Sequence, residues 1–266
     1  MDMSLFQETV WEYYRSHGRS LAWREPELDG NFDAYKILVS EIMLQQTQAP
    51  RVVPKYVNFL EKFPDVQALA EAQLAAVLSE WSGLGYNRRA KYLHEAARQL
   101  ASKKQPWSIE DLVACKGIGP NTAAAVCVYA YNEPLVFIET NIRTVFIHHF
   151  FNDKDGVHDR EILLLVDQAL DHEHPREFYW ALMDYGVHLK ATVGNASRAS
   201  KHYAKQSKFE GSKRQVRGQV LRLLGLKQRT VKELAEEIAD ERLQIVLTDL
   251  EREGLVSLKG GTFSLG

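Results

Sequence analysis

The apolar spacing of this 266-residue chain predicts an all-α fold over most of its length, closed by a small module of three helices and a β-hairpin. Three observations carry that reading. Apolar residues recur at three- and four-residue intervals from Leu5 to Leu189. Only two short turns interrupt this pattern where strands could have formed. Alternating runs flank a glycine turn only at the end, around Lys259-Gly260-Gly261.

Taken in order, residues 4–17 have helical spacing (Leu5, Phe6, Val10, Tyr13, Tyr14) and stop at Gly18. Leu21-Ala22-Trp23-Arg24 and a polar loop to Phe32 follow. An amphipathic helix runs from Ala34 to about Gln46, with Glu41 among apolar neighbours. Pro50 suits the first turn of the next helix. Pro64-Asp65 separates it from one helix starting near Val66, and Asn87 to Leu100 is another, with Arg88, Arg89 and Lys91 at its beginning. Pro106-Trp107-Ser108 caps a short helix, Ile109 to Ala114. Further helices are expected over about 141–150, 159–170 and 176–189. Beyond the polar stretch Ser207–Ser212, helices at Arg214–Leu224, Val231–Ile238 (capped by Thr230) and Leu243–Glu253 precede the hairpin.

Composition sets bounds. Hydrophobic residues at 45%, charged ones at 26% and a net charge of −2 describe an ordinary globular chain. No apolar run is long enough to span a membrane, and the N-terminus carries acids where a signal peptide needs bases. The expected location is therefore cytoplasmic. Between Lys190 and Arg222 there are nine Lys or Arg and one acid, Glu210, a local basic stripe that includes Lys201, Lys205 and Lys208. Two cysteines, Cys115 and Cys127, exclude a disulfide framework and any four-cysteine metal site.

The organising stretch is Cys115–Ile147. Lys116-Gly117-Ile118-Gly119-Pro120-Asn121-Thr122 reads as a glycine turn opening an Ala-rich helix, whose free N–H groups favour an anion such as a phosphate. The buried-type run Leu135-Val136-Phe137-Ile138 then ends at Glu139-Thr140-Asn141, where another apolar helix begins.

This arrangement resembles the helix-hairpin-helix DNA glycosylases of the endonuclease III and adenine glycosylase type. Ser40-Glu41-Ile42-Met43-Leu44-Gln45-Gln46-Thr47-Gln48, Trp81-Ser82-Gly83-Leu84-Gly85-Tyr86 and Ala181-Leu182-Met183-Asp184-Tyr185-Gly186 look like the adenine glycosylase branch, in family order. The resemblance implies a helix-hairpin-helix glycosylase domain over 1–206, with a central subdomain (31–138) and a second one made of 1–30 and 139–206. A linker (207–212) and a winged-helix-like domain (213–266) follow. It also implies base-excision chemistry on a lesion or mismatch in double-stranded DNA, by a monomer.

A base in a duplex must be flipped out before it can be cut. By the resemblance, Leu44, Gln45 and Gln46 match the plug, Tyr86 the aromatic wedge, and Trp23, Arg24 and Asn121 the base pocket. Gly117, Ile118, Gly119 and Thr122 match the backbone-gripping hairpin, and Lys201, Lys205 and Lys208 offer phosphate contacts. Glu41 matches the acid that protonates the leaving adenine, Glu139 the carboxylate that stabilises the cationic sugar, and Asn141 its orienting amide.

The sequence departs from the family in four places. Glu139 replaces aspartate and lengthens the side chain by one methylene. Asn121 stands where strand-cleaving relatives carry a Schiff-base lysine. Leu189–Asn195 occupies the region of the usual iron–sulfur ligands without a cysteine, so no cluster is expected; any monovalent cation at the hairpin would be held by backbone carbonyls. The winged-helix-like module replaces a nucleotide-hydrolase-like domain, and its third helix mixes Arg242 and Arg252 with Glu241, Asp249, Glu251 and Glu253, a poor face for phosphates. The expected activity is monofunctional removal of adenine opposite 8-oxoguanine or guanine. The alternatives are a mismatch uracil or thymine glycosylase and a non-catalytic lesion or structure binder.

Overall fold

The computed structural model describes residues 2–152 and 154–266. In chain order its α-helices are α1 (Met3–His17), α2 (Ala34–Leu44), α3 (Ala49–Lys62), α4 (Val66–Glu71), α5 (Leu74–Glu80), α6 (Arg88–Leu100), α7 (Ile109–Val113) and α8 (Pro120–Tyr131). They continue with α9 (Thr140–Phe150), α10 (Asp159–Ala169), α11 (Pro175–Thr192), α12 (Lys213–Leu226), α13 (Val231–Glu237) and α14 (Leu243–Arg252). Strands β1 (Arg229–Thr230), β2 (Val256–Lys259) and β3 (Thr262–Leu265) form an antiparallel sheet in the order β1-β3-β2. Among the described residues no helix is long and apolar enough to cross a membrane.

Local chemistry explains the boundaries. Asp2 accepts from the N–H groups of Ser4 (3.1 Å) and Leu5 (3.3 Å) to start α1. Ser108 and Asp111 form a reciprocal capping box on α7, and Thr230 and Glu233 do the same on α13. Gly260 and Gly261 both have positive φ, as the tight turn between β2 and β3 requires. One helix was expected after Asp65, but two form. The carbonyl of Ala72 faces His94 Nε2 at 2.9 Å and that of Ala70 accepts from Arg98 Nε at 3.2 Å, so side chains of α6 satisfy the broken turn.

The chain folds as two compact units, each discontinuous: Met1–Ile37 with Gly119–Lys205, and Leu38–Ile118 with Gln206–Gly266. This differs from the expected division at 31, 138 and 207–212. Phe32 packs edge-on against Trp180 and α8 packs on α11, so both join the first unit. Helix α12 and strand β3 pack on α5, so the C-terminal module is continuous with the second unit. Glu253 strengthens that join by pairing with Arg88 of α6 (2.5 Å) and Arg217 of α12 (2.5 Å), while Lys91 donates to the Glu253 carbonyl (2.6 Å).

The first unit is built around α11, whose buried Phe178, Tyr179, Trp180, Ala181 and Leu182 pack against α9 and α1. Asp184, on the same helix, has only 1% of its side chain exposed and binds Arg24 (2.8 Å; 6% exposed) and Arg19 (2.7 Å). Burial works to raise its pKa, and the two guanidiniums outweigh it, leaving the carboxyl below the usual range. The second unit turns on Arg89. Its buried guanidinium donates to the carbonyls of Ile42 (2.7 Å), Met43 (2.9 Å) and Gln45 (2.5 Å) at the end of α2, and to that of Gly85 (3.2 Å) in the loop before α6. Thr47 Oγ1 takes another donor at 3.1 Å.

Asp184→Asn is expected to destabilise the protein by about 3–5 kcal/mol in urea titrations at neutral pH, because Arg24 stays buried without a counter-charge. The folded pKa of Asp184 is depressed, so its stabilisation exists above the unfolded pKa and disappears as pH falls; the gap to wild type should therefore close below about pH 4. Arg89→Met is expected to cost about 3 kcal/mol or more, and Arg89→Lys to recover only part of it, because a point charge cannot replace the guanidinium fork.

Candidate active site

In the first unit, an extended segment delivers the candidate carboxylate to a helix start. Leu135–Ile138 has strand-like apolar character but no strand partner among the described residues. Side chains take its backbone groups instead: Tyr179 Oη donates to the Leu135 carbonyl (3.0 Å) and accepts from the Phe137 N–H (3.2 Å), with its ring stacked on Phe137. Asn121, on the first turn of α8, accepts from the Ile138 N–H at 3.3 Å. The residue expected in the base pocket thus also fixes the backbone next to Glu139.

Glu139 is the N-cap of α9. Its Oε1 accepts from the N–H groups of Asn141 (2.5 Å) and Ile142 (2.9 Å), and its Oε2 from Asn141 Nδ2 (3.2 Å). The longer side chain folds back on its own helix, which absorbs the extra methylene. Lys190, on α11, donates its ammonium to Asn141 Oδ1 at 2.6 Å. The amide of Asn141 is therefore held from both ends, with its oxygen on the cation and its nitrogen on the carboxylate.

Burial raises the Glu139 pKa, opposed by Lys190 and by the N–H donors of α9. Burial also lowers the pKa of Lys190, opposed by Glu139. Arg143, one turn into α9, is engaged with Asp159 (2.6 and 2.7 Å). Gly186 belongs to this site through its absence of a side chain: a Cβ there would lie 2.6 Å from the Asn141 carbonyl oxygen. It permits α11 and α9 to meet at Asn141.

Trp23 is buried at the Ala22–Arg24 turn, only 6% exposed. Arg24, expected beside the base, is committed to Asp184 and lies over the Trp180 ring (5.4 Å). Its geometry is that of an anchor for the turn that carries Trp23.

The second unit holds the other candidates. Glu41 is partly exposed on α2 and Leu44 is its last residue. Gln46 and Tyr86 both have positive φ (57° and 45°), a conformation uncommon for residues with a side chain. The Gln45 carbonyl is one of the Arg89 acceptors, so a single guanidinium connects the end of the Gln45–Gln46 segment to the Gly83–Tyr86 loop. The Tyr86 ring has Arg89 and Arg214 guanidiniums 5.6 and 5.2 Å from its centroid, and its hydroxyl accepts from Gln206 and Arg214. In the hairpin, Gly117 has φ +90° and its Cα sits against the Tyr92 side chain, where a Cβ would clash at 2.7 Å. Ile118 is buried. Gly119 begins α8 without any side-chain cap, and Thr122 lies in the first turn. Lys201, Lys205 and Lys208 are exposed.

Sequence reasoning missed Lys190, Arg89 and Tyr179. Lys190 had a signal, a lone lysine one turn after Gly186 on α11. The other two acquire their roles only through tertiary contacts. Both cysteines are free and buried, and among the described residues no group of three or more His, Cys, Asp or Glu could hold a metal ion. The segment after α11 is closed by hydrogen bonds. Asn195 Oδ1 accepts from Ser197 N–H (3.2 Å), Ser197 Oγ (2.6 Å) and Thr144 Oγ1 (3.4 Å), and the Lys201 N–H donates to the Val157 carbonyl (2.9 Å).

Residues 39–166 match the HhH-GPD superfamily of base excision DNA repair proteins. The adenine DNA glycosylase of Mycolicibacterium smegmatis is 33% identical over 248 residues, covering 84% of this chain and 81% of that protein. The adenine DNA glycosylase of Buchnera aphidicola (subspecies Baizongia pistaciae) is 31% identical over 70% of this chain, and that of Mycobacterium tuberculosis 44% identical over 50%. The chain spans about half the length of these two relatives (53% and 43%). Among solved structures, a thermostable thymine-DNA glycosylase aligns with TM-score 0.60 at 21% identity, over 76% of this chain and 96% of that one. A non-covalent endonuclease III–DNA complex aligns with TM-score 0.59 at 14% identity, over 72% and 89%. At those identities the two structures establish the fold, and the relationship to the Mycolicibacterium smegmatis protein, over most of both chains, establishes the family. The chain belongs to the HhH-GPD superfamily of base excision DNA repair proteins, among the relatives of the adenine DNA glycosylases.

Proposed function

We propose that this protein is a monofunctional DNA glycosylase that removes adenine mispaired with guanine or 8-oxoguanine in double-stranded DNA. The observation that carries the proposal is the Glu139–Asn141–Lys190 cluster at the start of α9, in a chain related to an adenine DNA glycosylase over 84% of its length. Cleavage of the glycosidic bond leaves positive charge on the sugar. Glu139 supplies the anion, fixed in advance by two backbone N–H groups and one amide, so little reorganisation is needed when charge develops. Glu41 is the proton donor to the departing adenine in this reading.

Asn121 has no amine with which to open a Schiff base, and the Lys190 amine is held on Asn141. The product is therefore an abasic site in an intact strand, formed by a monomer that needs no iron–sulfur cluster. Strand breaks should appear only after hot alkali, and borohydride should trap no covalent complex. Release of thymine or uracil in place of adenine from a panel of mispaired duplexes would reassign the substrate.

Glu139→Gln keeps the shape and removes the charge. Single-turnover base release should fall by roughly 100- to 1000-fold with duplex binding little changed. Equal rates for wild type and Glu139→Gln would remove this residue from the mechanism.

The pH dependence separates Lys190 from a merely structural residue. Glu139 acts as the carboxylate, and burial raises its pKa, so activity should fall as pH drops through a value above the ordinary glutamate range. Lys190 holds that pKa down. Lys190→Met should shift the acid limb to higher pH and cost more activity at pH 6 than at pH 8, and Lys190→Arg should restore most of the wild-type profile.

A further inference from the structure

Helix α11 turns one face toward a single side chain of α9. Met183, Gly186 and Lys190 follow one another at helical spacing, so they share a side of the helix, and all three meet Asn141. Lys190 donates its ammonium to Asn141 Oδ1 at 2.6 Å. Gly186 leaves space for the Asn141 Cβ, which a Cβ on residue 186 would approach to 2.7 Å. Met183 takes the remaining side, where Asn141 Nδ2 faces its Sδ at 3.8 Å. The same nitrogen donates to Glu139 Oε2 at 3.2 Å.

A thioether is a weak acceptor, so Met183 leaves the amide to Glu139. It is also the group in this cluster that an oxidant can alter. Hydrogen peroxide transfers one oxygen to a thioether: a sulfur lone pair takes that oxygen, the S–O bond forms as O–O breaks, and the other oxygen leaves as water. Sulfur gives up an electron pair and the peroxide is reduced by it. The product, a sulfoxide, is polar and can be returned to the thioether by reductases.

Access singles out this position. Met183 is half-buried, whereas Met43 is fully buried in α2, and Met3 lies at the start of α1, outside the cluster. Cys115 and Cys127 are buried, and burial pushes the Cys115 thiol up, away from its reactive thiolate form. A stronger acceptor at Met183 competes with Glu139 for Nδ2. The Asn141 Cβ is fixed against Gly186, so the amide answers by turning about its bond to Cγ. That turn draws Nδ2 from Glu139 and Oδ1 from Lys190 together.

We propose that Met183 is an oxidation site, at which a peroxide forms the sulfoxide, disengages Asn141 from Glu139 and suppresses base release until the sulfoxide is reduced. The effect on rate rests on the glycosylase reading above; the effect on Asn141 does not.

The test treats the full-length protein with graded hydrogen peroxide, quenches with catalase and locates added oxygen by peptide mass spectrometry. Met183 should be oxidised before Met43. Single-turnover adenine release should fall about tenfold or more in step with Met183 sulfoxide, because a donor that fixes the carboxylate is lost. A methionine sulfoxide reductase with a thiol reductant should restore the rate. Met183→Leu, which nearly conserves volume, should keep its own untreated rate through the same treatment. In protein carrying isotopically labelled asparagine, the Asn141 side-chain NH2 resonances should shift on oxidation of wild type and stay in place in Met183→Leu. An unchanged rate with Met183 fully oxidised, an equal loss in Met183→Leu, or a loss that the reductase does not reverse would overturn the inference. If untreated protein releases no base, the substrate reading falls and the resonances decide the site: a shift keeps it, and no shift removes it.

Discussion

One buried guanidinium, bound by carbonyl oxygens and, among the described residues, by no carboxylate, holds the second unit of this protein in shape. Arg89 faces the carbonyl end of α2, where the helix dipole concentrates partial negative charge. Burial lowers its pKa to about 10, which still leaves it charged at neutral pH. Carbonyl oxygens from two segments converge on it, and it lies 5.3 Å from the centre of the Trp81 ring. No smaller or monodentate cation could connect those segments at once. Gln46 and Tyr86 adopt left-handed backbone conformations on either side of this cluster, and such strain persists only where the surroundings over-determine it. Arg89 is the element that does so. A related device closes α8, where Arg176 donates to the carbonyls of Tyr129 (2.6 Å) and Ala130 (3.2 Å).

The first unit, which holds Glu139, depends on a different arrangement of the same kinds of group. An extended segment in a helical protein has backbone polar groups that no helix satisfies. Here Tyr179 and Asn121 satisfy them, and in doing so they fix the direction in which the chain arrives at Glu139. The substitution of glutamate for the family aspartate then becomes intelligible. The extra methylene does not extend the carboxylate outward; it lets the side chain curl onto the first turn of α9. Lys190 adds a cation beside it, on the stretch of α11 that leads into the region where iron–sulfur relatives place their cluster.

Much of this was legible in the sequence. Helix starts with local caps, such as those at Ser108 and Thr230, were readable because both partners lie within four residues. The Gly117-Ile118-Gly119 turn and the position of Glu139 at a helix start were readable for the same reason. What could not be read depends on residues far apart in the chain. The division between α4 and α5 is stabilised from α6. The pairing of Arg24 with Asp184 joins positions 160 residues apart, and it turns a candidate base contact into an anchor. Strand β1 is two residues long and exists only through β3. The C-terminal module looked separable because its linker is polar, whereas the contacts that bind it to α5 and α6 carry no local signature.

The discontinuity of both units has a consequence for how the molecule is made. Each unit is assembled from two stretches of chain, and the polypeptide passes from one unit to the other after Ile37, after Ile118 and again after Lys205. During synthesis the first stretch of each unit leaves the ribosome long before the second. The Leu38–Ile118 stretch must wait for Gln206–Gly266 before α5 and α6 receive α12 and β3. Until then the faces of those helices destined for the module are open, and sequestration by chaperones would matter most in that interval. The Gln206–Gly266 segment thus completes a core whose first stretch is synthesised well before it, and loss of that segment would leave the core exposed.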